Sequence, residues 1–123
     1  MKVLLVDDDL ELIRYLTAVL KDKGWEVRVA HDADAAYDSS QQDRPDVVVL
    51  DIHMPAGGGK KALKRLRESH KSFDVPVLLM SADADAALSE EMRKLQADGF
   101  IQKPLEAERL HQALMRLTDG KMA

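Results

Sequence analysis

The chain of 123 residues contains no cysteine, which excludes both a disulfide framework and a thiolate zinc site. That count suits a reducing compartment. No apolar segment is long enough to span a bilayer, and the start, MKVLLVDDD, has one lysine and a short apolar run closed by three aspartates, unlike a secretory leader. A cytoplasmic location with no membrane partner is therefore expected. A basic excess is missing as well: 18 Lys and Arg against 22 Asp and Glu leave a formal net charge of −4. Sequence-independent affinity for a nucleic-acid backbone rests on clustered cations, so direct nucleic-acid binding by this domain is not expected. Soluble proteins and small ions fit better as partners. Phenylalanine is scarce too, with two in the chain, which leaves the interior few aromatics.

What is present is a length and a hydrophobic fraction, 46%, sufficient for one core with helices packed round a sheet. Apolar runs alternate with helical periodicities from one end to the other, the pattern of parallel strands joined by crossover helices. Val3 to Val6, Val27 with Val29, Val47 to Leu50, Val75 to Met80 and Gly99 to Gln102 read as five strands. Leu12, Ile13, Leu16, Val19 and Leu20 share one face of a first helix, which Gly24 is placed to end. Asp32 is placed to cap a second helix that carries Ala33, Ala36 and Tyr37 inward. Ala62, Leu63 and Leu66 mark a third helix, Leu88, Met92 and Leu95 a fourth, and Leu110, Ala113, Leu114 and Leu117 a fifth. Residues 1–118 are expected to form one domain, with 119–123 a polar tail that is either a natural end or the start of a linker.

In an open parallel sheet, reactive groups gather at the carboxyl ends of the strands, where the loops diverge. The first strand ends in Asp7, Asp8 and Asp9, the third in Asp51, the fourth in Ser81, and the fifth in Gln102 and Lys103. At about 4 Å and an effective dielectric near 20, each pair of ionised carboxylates repels by roughly 4 kcal/mol, so several acids there demand a cation. Oxygen ligands without thiolate favour a hard ion, magnesium (Mg2+) or manganese (Mn2+). A dication beside a lysine and a hydroxyl is the set that balances a transferring phosphoryl group, with Asp51 as the nucleophile. Asp9 is expected to serve as a helix cap instead.

These residues also carry a resemblance. LLVDDD resembles the acidic-pair segment of the two-component response-regulator receiver domains, VVVLDIHMP their phosphoacceptor segment, LLMSA their hydroxyl-bearing fourth strand and GFIQKP their lysine-proline segment, in the same order and spacing. The resemblance covers nearly the whole chain and implies a flavodoxin-like doubly wound five-stranded parallel sheet, order 2-1-3-4-5, with five helices. It implies that Asp7, Asp8, Asp51 and the backbone carbonyl of His53 hold the metal. It further implies that Asp51 takes a phosphoryl group from a sensor histidine kinase or phosphotransfer protein, with Ser81 and Lys103 binding phosphoryl oxygens. Phe100 and Ser81 form the switch that alters the helix 4, strand 5 and helix 5 surface for a downstream protein target or effector domain. His53 and Asp83 flank the phosphate and tune its lifetime, a second copy of the chain is a further candidate partner, and the Lys103-Pro104 peptide is expected to be cis. On this reading the protein is a bacterial signalling phosphoprotein and not a conventional enzyme. It catalyses its own phosphorylation and dephosphorylation.

Departures from the family pattern stand beside the match. AGGG follows Pro55 where a bulky residue and an aspartate are usual, so Gly57, Gly58 and Gly59 are expected to loosen that loop, and Gln96 stands where a helix-ending glycine is common. Two other readings remain. VDDDL also fits the Asp-x-Asp pair of a haloacid-dehalogenase-like phosphatase, with Asp7 as nucleophile and Asp9 as acid, but this leaves Asp51 without a role. A receiver-like interaction module that is never phosphorylated is the third reading, and the intact acidic set argues against it. Lys60, Lys61, Lys64, Arg65 and Arg67 make the third helix basic, which is read as a solvated face. The four histidines lack a two-ligand helical spacing, and no histidine metal site is expected.

Overall fold

Four consecutive aliphatic residues, Val47 to Leu50, suit a strand covered on both faces. In the computed structural model they form β3 (Val47–Asp51), buried throughout. The structure describes residues 1–54, 58–82, 90 and 93–119. Around β3 lie β1 (Lys2–Val6), α1 (Leu10–Asp22), β2 (Glu26–Ala30), α2 (Ala33–Gln42), α3 (Gly58–Arg67), β4 (Val77–Ser81), β5 (Gly99–Gln102) and α4 (Ala107–Thr118). The strands are parallel in the order β2-β1-β3-β4-β5, the expected doubly wound sheet. The helix expected around Leu88 and Met92 falls mainly outside the described residues, so the helix expected as fifth is α4 here.

Alternation along each strand divides the core in two. Val3, Leu5, Val47, Val49, Leu78 and Met80 face α1 and α4, while Leu4, Val6, Val48, Leu50, Val77 and Leu79 face α2 and α3. Each fully buried Leu or Val on these faces contributes about 1.5–3 kcal/mol of apolar transfer. This double cover fixes the strands as a rigid platform, so whatever stands at their carboxyl ends is held in a set arrangement.

The helix ends follow the sequence signals. Asp9 caps α1 by accepting from the Leu12 amide at 3.1 Å, and Asp32 caps α2 by accepting from the Ala35 amide at 2.7 Å. At the other end of α1 the Trp25 amide donates to the Leu20 carbonyl and the Gly24 amide to Lys21, a Schellman closure with Gly24 at φ +95°. An added Cβ at Gly24 meets nothing within 4 Å, so its cost is conformational alone. Gly24→Ala is expected to lower stability by about 1 kcal/mol in urea denaturation, without altering the site.

Two side chains depart from expectation. Tyr37 is only half-buried, because the Arg65 guanidinium stacks 4.0 Å from its ring centroid, and Ser40 takes the inward position one turn on. Arg67 does not belong to a solvated face: its side chain is 11% exposed. Its guanidinium donates to the carbonyls of Gln96, Phe73 and Val75 and to the Asp98 carboxylate. This clamp holds Gln96 at φ +63°, in the left-handed region where glycine is usual, just before β5.

Candidate functional site

Because β1 and β3 are parallel neighbours with Val6 opposite Leu50, Asp7 and Asp51 emerge side by side at the same end of the sheet. Asp7 and Asp51 are buried and Asp8 is exposed, and the three carboxylates each place an oxygen within 4.8 Å of the others. Asp7 Oδ1 accepts from the Asp9 amide at 2.9 Å, and Asp51 Oδ1 accepts from the His53 amide at 3.0 Å. Lys103, just past β5, reaches across β4 and β3 to place Nζ 2.9 Å from Asp7 Oδ2 and 3.4 Å from Asp51 Oδ2. Its own amide donates to the Ser81 carbonyl at 2.8 Å, and the Lys103-Pro104 peptide is cis.

Burial pushes the Asp51 carboxyl above its ordinary range; the His53 amide and Lys103 oppose this, and the negative charge of Asp7 adds to it. Burial alone would lower Lys103, but the hydrogen bonds and charges of Asp7 and Asp51 outweigh it and hold the ammonium above its usual value. Three acids converge, and the lysine pairs with the two that are buried. The donor set is all oxygen, which fits a hard divalent cation.

Ser81 ends β4 fully buried, beside Gln102 of β5. Phe100 lies opposite Leu79 and is half-buried against the α2 and α3 side of the core. His53 is exposed, and Asp83 lies outside the described residues. Among the expected site residues, the structure thus brings Asp7, Asp8, Asp51 and Lys103 together directly. Ser81 stands at the neighbouring strand tip.

Gly58 and Gly59 behave differently from the loose loop expected of them: both are buried in the first turn of α3. Gly59 donates its amide to the Ile52 carbonyl at 3.2 Å, and a Cβ there would strike the Asp51 carbonyl and stand 2.7 Å from Ile52 Cα. The glycine lets α3 press against the backbone that carries Asp51. Gly59→Ala is expected to cost about 2–3 kcal/mol in denaturation and to weaken divalent-ion binding in the same titration, because the Asp51 backbone must shift.

The sequence weighs the histidines only as metal ligands, and His31 does something else. It follows β2 directly, and its Nδ1 lies 3.2 Å from the Asp7 carbonyl, to which it donates when that nitrogen carries the proton. Inspecting the end of the second strand with the others would have found it.

The geometry defines a class: a doubly wound α/β domain whose carboxyl-end crevice sets a lysine against a carboxylate cluster suited to a divalent cation. The family model described as response regulator receiver domain matches residues 3–115. The chain is 36% identical over 123 residues to the response regulator MprA of Mycobacterium avium, covering 96% of this chain and 52% of that protein. It is 40% identical over 106 residues to the transcriptional regulatory protein CpxR of Escherichia coli, covering 84% of this chain and 43% of that protein. Among solved structures it is similar to the chemotaxis protein CheY4 of Vibrio cholerae, with 30% identity, TM-score 0.91, and 94% and 97% of the two chains covered. The receiver domain of sensor histidine kinase PA1611 from Pseudomonas aeruginosa, which has a magnesium ion coordinated in its active-site cleft, shares the fold at 24% identity and TM-score 0.88, with 96% and 97% covered. The chain belongs to the response-regulator receiver family. It spans about half the length of the curated relatives it matches.

That membership displaces the phosphatase reading, and the acid that reading required, Asp9, is occupied as the cap of α1. No helix among the described residues is long and apolar enough to cross a membrane.

Proposed function

We propose that this domain is a phosphorylation switch whose acceptor is Asp51. The observation that carries the reading is the convergence of Asp7, Asp8 and Asp51 within 4.8 Å, with the Lys103 ammonium against two of them. Asp7, Asp8, Asp51 and the His53 carbonyl would hold magnesium or manganese, a reading supported by the all-oxygen cluster. Such an ion would supply positive charge against the acids and the phosphoryl oxygens.

A carboxylate oxygen of Asp51 attacks the phosphorus of a phosphohistidine on a sensor histidine kinase or phosphotransfer protein. The P–O bond forms as the P–N bond breaks, the electron pair returns to the imidazole nitrogen, and the product is an acyl phosphate. Lys103 pairs with one phosphoryl oxygen and the Ser81 hydroxyl donates to another. Drawing Ser81 toward the phosphate opens room for Phe100 to turn inward, which changes the surface around β5 and α4 for a downstream target or effector domain. Inverting such a switch from 1:99 to 99:1 requires about 5.5 kcal/mol of discrimination between states. His53 and Asp83 set how long the acyl phosphate resists water. The domain thus catalyses its own phosphorylation and hydrolysis, within residues 1–118.

The test is to incubate the native chain with acetyl phosphate and magnesium and to locate the modified residue by peptide mass spectrometry. Magnesium-dependent modification at Asp51 is the expected result. Modification at Asp7 would revive a phosphatase-type nucleophile, and no modification at any acid would leave a receiver-like interaction module.

A further inference from the structure

β2 is an edge strand, paired only with β1, and α2 covers one of its faces. On the other face, toward α1, the roof is incomplete: Val29 remains 43% exposed and Leu10 of α1 60% exposed. Between α1 and β2 runs a groove of about 640 Å³ with an apolar floor and a cationic rim formed by Arg14 and Lys21. Leu10, Arg14, Thr17 and Lys21 recur at intervals of three and four, so they form one ridge along the helix. Seven residues of helix set Arg14 and Lys21 about 10.5 Å apart, two turns.

The charge of this strip runs against that of the chain, whose net is −4. No carboxylate is among the described lining residues, and neither Arg14 nor Lys21 is ion-paired with another described residue. Thr17 also lines the groove; its Oγ1 is buried beneath that surface, without a hydrogen-bond partner among the described residues.

We propose that the α1–β2 groove docks an amphipathic helix of a partner protein. Its aliphatic stripe covers Leu10, Val27 and Val29, and its acids, two turns apart, meet Arg14 and Lys21. A helix fits better than an added strand. The uncovered valines point out of the sheet into the helical layer, and an extended peptide pairing with the β2 edge would leave them bare.

The test uses the native chain and a synthetic helix of about five turns, bridged to stay helical, with a leucine stripe and Glu residues seven apart. A copy with Lys in place of each Glu is the comparison. The acidic peptide is expected to bind with amide shifts confined to α1 and β2. Arg14→Glu combined with Lys21→Glu, both exposed positions, is expected to weaken it at least about ten-fold and to gain binding of the Lys peptide, with an unchanged denaturation midpoint. Absence of binding, equal binding of the two peptides, or shifts centred elsewhere overturns the proposal. So does strand-type pairing of the peptide with β2. Self-association that the double variant abolishes would assign the groove to a second copy, and that too overturns it.

Discussion

Asp51→Asn is expected to abolish acyl-phosphate formation and, at neutral pH, to stabilise the metal-free domain by about 1 kcal/mol. The loss of chemistry follows from the nucleophilic role proposed for Asp51. The gain follows from electrostatics, since Asp51 is 4% exposed and ionises beside the fully buried Asp7. Its folded-state value lies above the ordinary 3.8, so the ionised form is disfavoured by folding. The penalty is fully present above the folded value, shrinks as pH falls through it, and vanishes below about 3.8, where the unfolded chain is protonated as well. An asparagine is neutral, like the protonated acid, and its oxygen can accept from the His53 amide as Asp51 Oδ1 does. Urea denaturation of both proteins without divalent ions should show a stability gap at pH 7 that closes toward pH 4. Intact mass after acetyl phosphate and magnesium should show the modification in the native protein alone. A variant that is less stable at neutral pH would contradict the assigned repulsion.

Replacing Arg67 with Met is expected to lower stability by about 3–4 kcal/mol, more than any exposed position of the basic helix. The guanidinium bridges the end of α3, the segment before β4 and the turn before β5. Its loss leaves the Gln96 carbonyl without its two donors and the Asp98 carboxylate without its cation. Asp98 also accepts from the Val77 amide at 2.8 Å, so the disturbance reaches the first residue of β4. Arg67→Lys should recover less than half of the loss, because three donors on one nitrogen cannot match a planar fork aimed at four separate acceptors. Denaturation midpoints of the two variants decide this. If both lie within about 1 kcal/mol of the native protein, the clamp is ornamental and Gln96 keeps its conformation by other means.

The two variants bear on the same platform from opposite sides. On the proposed function Asp51 gives up stability for chemistry, while Arg67 supplies it at the segment that leads to Phe100 and Lys103.

The sequence by itself determined the strands and the helix faces, because hydrophobic periodicity is local and each apolar position reports its own face. Val47 to Leu50 could only be a central strand, and Leu16 and Leu20 could only face inward. It determined the caps at Asp9, Asp32 and Gly24 for the same reason, since a cap bonds within one turn. The site acids were legible through their place at strand ends. Only the tertiary structure decided which distant groups meet. That Lys103 lies closer to Asp7 than to Asp51, that His31 lies against the Asp7 carbonyl, and that Arg67 clamps Gln96 and Asp98 depend on partners 24 to 96 residues away. Gly59 is needed not by its own helix but by the backbone of Asp51 pressed against it. Side-chain type and spacing set what a residue offers; the packing of the sheet sets what accepts it.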